Sequence, residues 1–239
     1  MRAPHRPILI RNGTVLTMDD SLGDLAHADV LVDAGRITAV GVDLEAPGTA
    51  TVIDAAEMVV LPGFVDTHTH LWQTAVRGTA ADVIGDEYQA NVKRLRDRYT
   101  AEDKRLSAHV GALEAMASGV TCVLDHCHDV PDAAHALASA QGLHDAGIRA
   151  VFAPSMNPRR AASTHEERLL TVDRVRRELS ATDGLVAPGI ALTDAPFVRA
   201  AGDRWDWNAA EAAYARTHGL PMTVHTGSVS DQVTLLARA

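Results

Sequence analysis

Aromatic side chains are scarce in this sequence: Phe, Trp and Tyr make up only 4% of 239 residues. Any core must therefore be built mainly from Ala, Val and Leu, and the 46% hydrophobic content is enough to build one. Basic residues are outnumbered, with 22 Lys and Arg against 31 Asp and Glu, for a formal charge of -9. That balance argues against an electrostatic grip on nucleic acid or an anionic membrane. No window approaches the ~18 uninterrupted apolar residues of a membrane span. The start, MRAPHRPILIRNGTVL, has only a short apolar run before Arg11 and Asn12, so no secretory signal is expected. The two cysteines, Cys122 and Cys127, lie along one expected strand and its exit, a poor placement for a mutual bridge. Free thiols and a cytoplasmic location follow as the plain reading. No glycine-rich nucleotide loop of the GxGxxG or GxxxxGK type occurs.

What is present falls into two parts. Residues 1–58 read as short β-segments. A strand pair is expected across Asn12-Gly13 within 8–16, and a second hairpin across Ala34-Gly35 between 28–33 and 36–42. This unit is too small to bury both faces of a sheet alone. From about Val59 short apolar runs alternate with amphipathic stretches. Strands are expected at 59–68, 121–126, 148–153, 185–192 and 222–226, and helices at 101–119, 132–147, 164–181 and 207–219. Gly119, Gly147 and Gly219 each follow a helical run as C-cap candidates. Such serial βα order implies parallel strands covered on both faces. Five units are countable over 59–239, with a fifth helix expected from near Ser230. A closed (β/α)8 barrel takes eight units and roughly 250 residues. The expected fold is therefore α/β: a partial TIM-type barrel of about five βα units preceded by a small β-sandwich segment.

Polar residues gather just after the strands, the end where such folds place their sites. Asp66, His68 and His70 form an i, i+2, i+4 set closing the first long strand. Alternation along a strand lets His68 and His70 point the same way, and two imidazoles on one side can share a divalent ion. On spacing alone, a turn-capping His beside a surface His is the commoner outcome of such a pair. Asp125, His126, Cys127 and His128 close the second strand. Asp125 and Cys127 share one face there and His126 and His128 the other, so all four cannot converge on one ion. His128 is a candidate pocket or supporting contact, with plain structural hydrogen bonding as the alternative. Gln73 and Arg77 follow the histidine pair and are substrate-pocket candidates, although solvent exposure suits Arg77 equally. Trp72 reads as pocket wall or core.

The run LPGFVDTHTHLWQTAVRG resembles the first-strand signature of the amidohydrolase superfamily, in its chlorohydrolase, aminohydrolase and cytosine/guanine deaminase branch. IRNGTVLTMD…ADVLVDAGRITAVG resembles that branch's N-terminal β-sandwich segment, so that residues 1–58 would form part of a composite sandwich. GVTCVLDHCH resembles its second-strand block. The resemblance implies that His68 and His70 are metal ligands, with His225 of LPMTVHTG as the third. It also implies a histidine after strand six and an aspartate after strand eight, both beyond Ala239. The branch usually carries glutamate three residues past the third histidine. Ser228 stands there, which weakens a direct assignment as cytosine or guanine deaminase. Asp231, one turn further, reads as a helix-start residue. No lysine closes the fourth strand, where LVAPGIALTDAPF offers Asp194, and this favours one metal ion over two.

The resemblance implies a metal-dependent hydrolase of carbon–nitrogen (non-peptide) bonds in a small azaheterocyclic substrate. The enzyme would be deaminase- or chlorohydrolase-like, with attack by a metal-bound hydroxide. Zinc fits the ligand types best and iron also fits. The alternative is a catalytically incomplete fragment that binds metal weakly or needs a complementary C-terminal chain. Unpaired edges of the first and fifth strands would favour such a partner, or a homo-oligomer. A phosphoesterase-type metallohydrolase also uses HxH, but the sandwich-like segment argues against it.

Overall fold

The computed structural model describes residues 6–79, 81–82, 94–158, 163–182 and 184–226. The chain divides into two compact units, Met1–Gly63 and Phe64–Ala239.

The first unit is a five-stranded sheet. Its strands are β1 (Ile8–Leu16), β2 (Asp24–Asp33), β3 (Arg36–Gly41), β4 (Thr51–Asp54) and β5 (Val59–Val60). The order is β3-β2-β1-β4, with β5 also on β1. The hairpin at Ala34-Gly35 forms as its sequence predicts, with both residues at positive φ. Asn12-Gly13 is not a turn. β1 runs through it as one strand, with a register shift between Ile10 and Gly13. Asn12 takes a φ of 69°, and its backbone N–H donates to Asp29 Oδ1 at 2.8 Å. A Cβ on Gly13 would lie 2.7 Å from Val60 Cγ2, so the bulge needs glycine where β5 crosses. The turn-like dipeptide thus serves a β-bulge. A small core of Val15, Ala28 and Val30 packs beside it.

The second unit begins with β6 (Phe64–Thr69) and a 3-10 helix (Leu71–Val76). It continues through α1 (Ala101–Ala117), β7 (Val120–Cys127), α2 (Ala133–Ala146), β8 (Arg149–Pro154) and α3 (His165–Ser180). Then follow β9 (Val186–Pro188), β10 (Ile190–Ala191), α4 (Ala195–Ala200), α5 (Trp205–His218) and β11 (Met222–Thr223). Strands β6-β7-β8-β9 form a parallel sheet, and β10 pairs in parallel with β11. This is a partial (β/α)-type barrel core.

Two expected strands are broken in the structure. VVLPGFVDTH divides at Pro62-Gly63, because proline withdraws a ladder donor there. Its first piece, β5, joins the first unit, and its second, β6, opens the parallel sheet. LVAPGIAL divides at Gly189, where a Cβ would meet Val151 Cγ1 at 2.7 Å and Pro221 O at 3.2 Å. The kink passes the chain from β8 to β11, with Gly189 N–H on Phe152 O and Ile190 N–H on Pro221 O. Helix α4 has no counterpart in the sequence reading.

Helix starts follow local chemistry. Thr100 with Asp103, and Thr164 with Glu167, form reciprocal capping boxes, and Asp132 caps α2. The helix-side core contains Trp72 and Phe152 among many small residues, including Ala108, Ala112, Ala136 and Ala140. Such small side chains let α1 and α2 approach closely, as the poverty in aromatics requires. Among the described residues, β6 and β11 each pair on one side only, and Phe64 and Val65 on β6 are exposed. No described helix is long and apolar enough to cross a membrane.

Candidate metal centre

The ends of β6, β7 and β11 bring five imidazoles together. Alternation on β6 places His68 and His70 with ring centroids 4.8 Å apart. His225, just past β11, lies 5.0 Å from His68 and 5.1 Å from His70. Ligand atoms of His68, His70 and His225 all fall within 4.8 Å of one another.

The hydrogen bonds decide which nitrogens are free. His70 Nδ1 lies 2.7 Å from the backbone oxygen of His126. A carbonyl only accepts, so Nδ1 carries the proton. His225 Nδ1 lies 3.1 Å from Asp194 Oδ2, and a carboxylate likewise only accepts. In each neutral ring the lone pair is therefore on Nε2. Those two Nε2 atoms face each other at 3.2 Å. Neither has a proton to offer the other, so the approach is repulsive unless a cation lies between them. Two nitrogens on one tetrahedral zinc, each at its usual bond length, sit about 3.3 Å apart. The donor set therefore fits a divalent ion.

The electrostatics agree. Burial, and then the neighbouring His225, lower the His68 pKa, and burial first lowers that of His70. Both rings favour the neutral form that a metal needs. Burial alone would raise the Asp194 carboxyl, but hydrogen bonds from His225 and Asn157 outweigh it and hold it below its ordinary range.

The sequence presents Asp194 only as the residue standing where a lysine would be. In the structure it orients His225. It accepts from the His225 ring and from the His225 backbone N–H at 3.1 Å, while Asn157 Nδ2 donates to it at 2.6 Å. Asp194 occupies the N-cap of α4 yet makes no side-chain cap bond, because its carboxylate is turned toward the histidine. That role depends on partners distant in sequence, and only its place after a strand hinted at it.

The β7 residues separate as their alternation predicts. Asp125 and Cys127 are fully buried on the helix side. Burial pushes the Asp125 carboxyl up to about 7 and the Cys127 thiol up to about 12. His126 and His128 face the cluster, with His126 4.1 Å from His225 and His128 4.2 Å from His70. Burial is the largest cause holding His126 down to about 3 and His128 to about 2. His126 also falls within a second potential ligand group, with Asp194 and His225. Gln73 and Arg77 line a cavity of about 460 Å³ beside His70. Arg77 is exposed and paired in a fork with Glu114. His128 does not line that cavity. Trp72 is core rather than pocket wall, at 0% exposure. Ser228, Asp231 and the helix expected from Ser230 lie outside the described residues.

Residues 59–237 match the sequence model of the amidohydrolase family. The chain is 36% identical over 137 residues to a 5'-deoxyadenosine deaminase of Methanosarcina barkeri, covering 57% of this chain and 31% of that protein. It is 33% identical over 175 residues to a 5-methylthioadenosine/S-adenosylhomocysteine deaminase of Thermococcus kodakarensis, covering 71% and 39%. Among solved structures, an atrazine chlorohydrolase from Arthrobacter aurescens TC1 complexed with zinc aligns at a TM-score of 0.74 and 25% identity, over 97% of this chain and 58% of that one. An adenosine deaminase from Xanthomonas campestris with bound zinc aligns at 0.79 and 20% identity, over 99% and 55%. The chain thus spans little more than half the length of these solved relatives. With a family match across most of its length and a partial barrel whose strand ends gather the signature histidines, the chain belongs to the amidohydrolase family, among deaminase- and chlorohydrolase-related members.

Proposed function

We propose that this chain supplies His68, His70 and His225 as ligands to one zinc ion in a hydrolase of carbon–nitrogen bonds in small azaheterocycles. The observation that carries the reading is the pair of Nε2 atoms facing each other at 3.2 Å, both bearing lone pairs in the neutral rings because each Nδ1 donates to an oxygen. Zinc is favoured by the nitrogen donors and by its presence in two of the solved relatives.

Bound there, zinc supplies Lewis acidity and makes water nucleophilic at neutral pH. The chain's own groups prepare for that chemistry. The His126 carbonyl fixes the His70 ring, and Asp194 fixes the His225 ring and raises its basicity as a ligand. Asn157 holds Asp194 through two hydrogen bonds: its Nδ2 donates to Oδ2, the oxygen that also meets the His225 ring, at 2.6 Å, and its Oδ1 accepts from the Asp194 backbone N–H at 2.8 Å. Gln73, at the cavity beside His70, offers an amide that can both donate to and accept from a heterocycle.

The names of the relatives supply the first substrates to try. The full-length natural protein, loaded with zinc, is expected to release ammonia from 5'-deoxyadenosine or a related nucleoside, and to stop when zinc is chelated. Release of chloride from a chlorotriazine would place it with the chlorohydrolases instead. A zinc-loaded protein that turns over neither class would overturn the reading.

A further inference from the structure

Resting on that reading, the geometry points to His128 as a substrate-reading hydrogen-bond donor: its Nε2–H, held in that tautomer by the Trp72 indole, meets an acceptor atom of the heterocycle. Trp72 Nε1 lies 2.8 Å from His128 Nδ1. An indole nitrogen only donates, so His128 Nδ1 must accept, and the ring proton of neutral His128 resides on Nε2. Trp72 has no freedom to release it. The indole is fully buried, Lys104 Nζ sits 4.0 Å over its ring, and Tyr99 packs edge-on at 5.6 Å. Lys104 is itself buried and ion-paired with buried Asp129. A cation over the ring face polarises the indole and strengthens its N–H as a donor.

The outward half of His128 is unspent. Its Nε2 makes no hydrogen bond among the described residues, and the ring is half-buried where that of His126 is buried with its Nε2 sealed. The ring lies 4.2 Å from His70, beside the proposed metal ligands. A donor fixed in tautomer, open, and next to the reacting centre discriminates between ligands. It favours a ring nitrogen or carbonyl oxygen and disfavours an N–H or C–H in the same place, because a donor that the ligand takes out of water and leaves unpaired is costly. Trp72 is a positioning residue that acts through His128.

The test uses full-length zinc-loaded protein. Long-range nitrogen–proton spectra of the histidine rings should show His128 wholly in the Nε2–H form in the wild type, and a tautomer mixture in Trp72→Phe. Binding is then measured for 5'-deoxyadenosine and its 1-deaza, 3-deaza and 7-deaza counterparts, in which one ring nitrogen becomes C–H. The wild type should lose about tenfold in affinity for one of the three, the worth of one hydrogen bond, and His128→Phe should bind that analogue and the parent equally. An Nδ1–H tautomer at His128 overturns the inference, as does unchanged discrimination in a folded, zinc-binding His128→Phe. If zinc loads but neither the parent nor any analogue binds, the substrate reading of the preceding subsection falls and takes this inference with it.

Discussion

Replacing His225 by alanine is expected to lower zinc affinity at least 100-fold, and Asp194→Asn to lower it about 10- to 100-fold with the fold retained. His225 is the hub of the centre. Its Nε2 meets His70 Nε2 at 3.2 Å, its Nδ1 meets Asp194 Oδ2 at 3.1 Å, and its backbone N–H meets Asp194 Oδ1. Alanine removes a proposed ligand and leaves the Asp194 carboxylate without its ring partner. Asn157 still donates to that carboxylate, so loss of metal rather than unfolding should dominate. Asparagine at 194 keeps the volume but removes the charge, and it offers at most one oxygen where the ring and the backbone now use two. His225 would then be a weaker and less fixed ligand. Competition against a chromophoric zinc chelator gives the affinities, and thermal melts of the metal-free variants check the fold. Wild-type affinity in His225→Ala would remove this histidine from the centre.

Acidification of the metal-free protein tests the buried imidazoles. His126 and His128 are held neutral in the fold down to about pH 3 and about pH 2, chiefly by burial. In the unfolded chain each takes up a proton near pH 6.5. Groups depressed in this way contribute stability that is present above 6.5 and lost as pH falls toward the folded values. At pH 5 each ring has lost about 2 kcal/mol relative to neutral pH. Asp125 works in the opposite sense. Its folded value of about 7 lies above the ordinary 3.8, so its contribution is present at low pH and lost as pH rises through 7. Going from pH 7.5 to 5 therefore restores roughly 2 to 3 kcal/mol through Asp125. From these three groups the wild type is expected to lose only about 1 to 2 kcal/mol over that interval, and the lowered His68 and His70 add the same further loss to wild type and variant alike. Asp125→Asn, which keeps an oxygen for the Leu71 N–H, should lose about 4. Urea unfolding at the two pH values, with chelator present, reads both. Equal losses in the two proteins would show that the fold does not raise the Asp125 carboxyl.

Much of this centre is written locally. The two-residue spacing of His68 and His70 fixes their common face, and the same period divides Asp125 and Cys127 from His126 and His128. Helices α1, α2 and α3 follow from apolar patterning with threonine and aspartate starts, and α5 from its patterning and the Gly219 that ends it. What stayed hidden depends on contacts across the fold. Asp194 before Ala-Pro looks like an N-cap, and nothing local shows that its carboxylate serves His225, 31 residues on. Lys104 lies in a helix as charged as many exposed ones, yet it is buried against Asp129 and Trp72. Asn12-Gly13 carries turn chemistry that β1 spends on a bulge, because β4 and β5 pair along its length. Gly189 splits a strand whose apolar pattern is unbroken, since the requirement comes from Val151 and Pro221.

The most direct measurement is zinc X-ray absorption on the full-length natural protein and on its His225→Ala variant, with metal content determined in parallel. The account predicts one zinc per chain in the wild type, with a nitrogen shell near 2.0–2.1 Å dominated by imidazole scattering, and the loss of one imidazole from that shell in whatever zinc the variant retains. A shell of oxygen donors without imidazole, or a spectrum unchanged by His225→Ala, would contradict it.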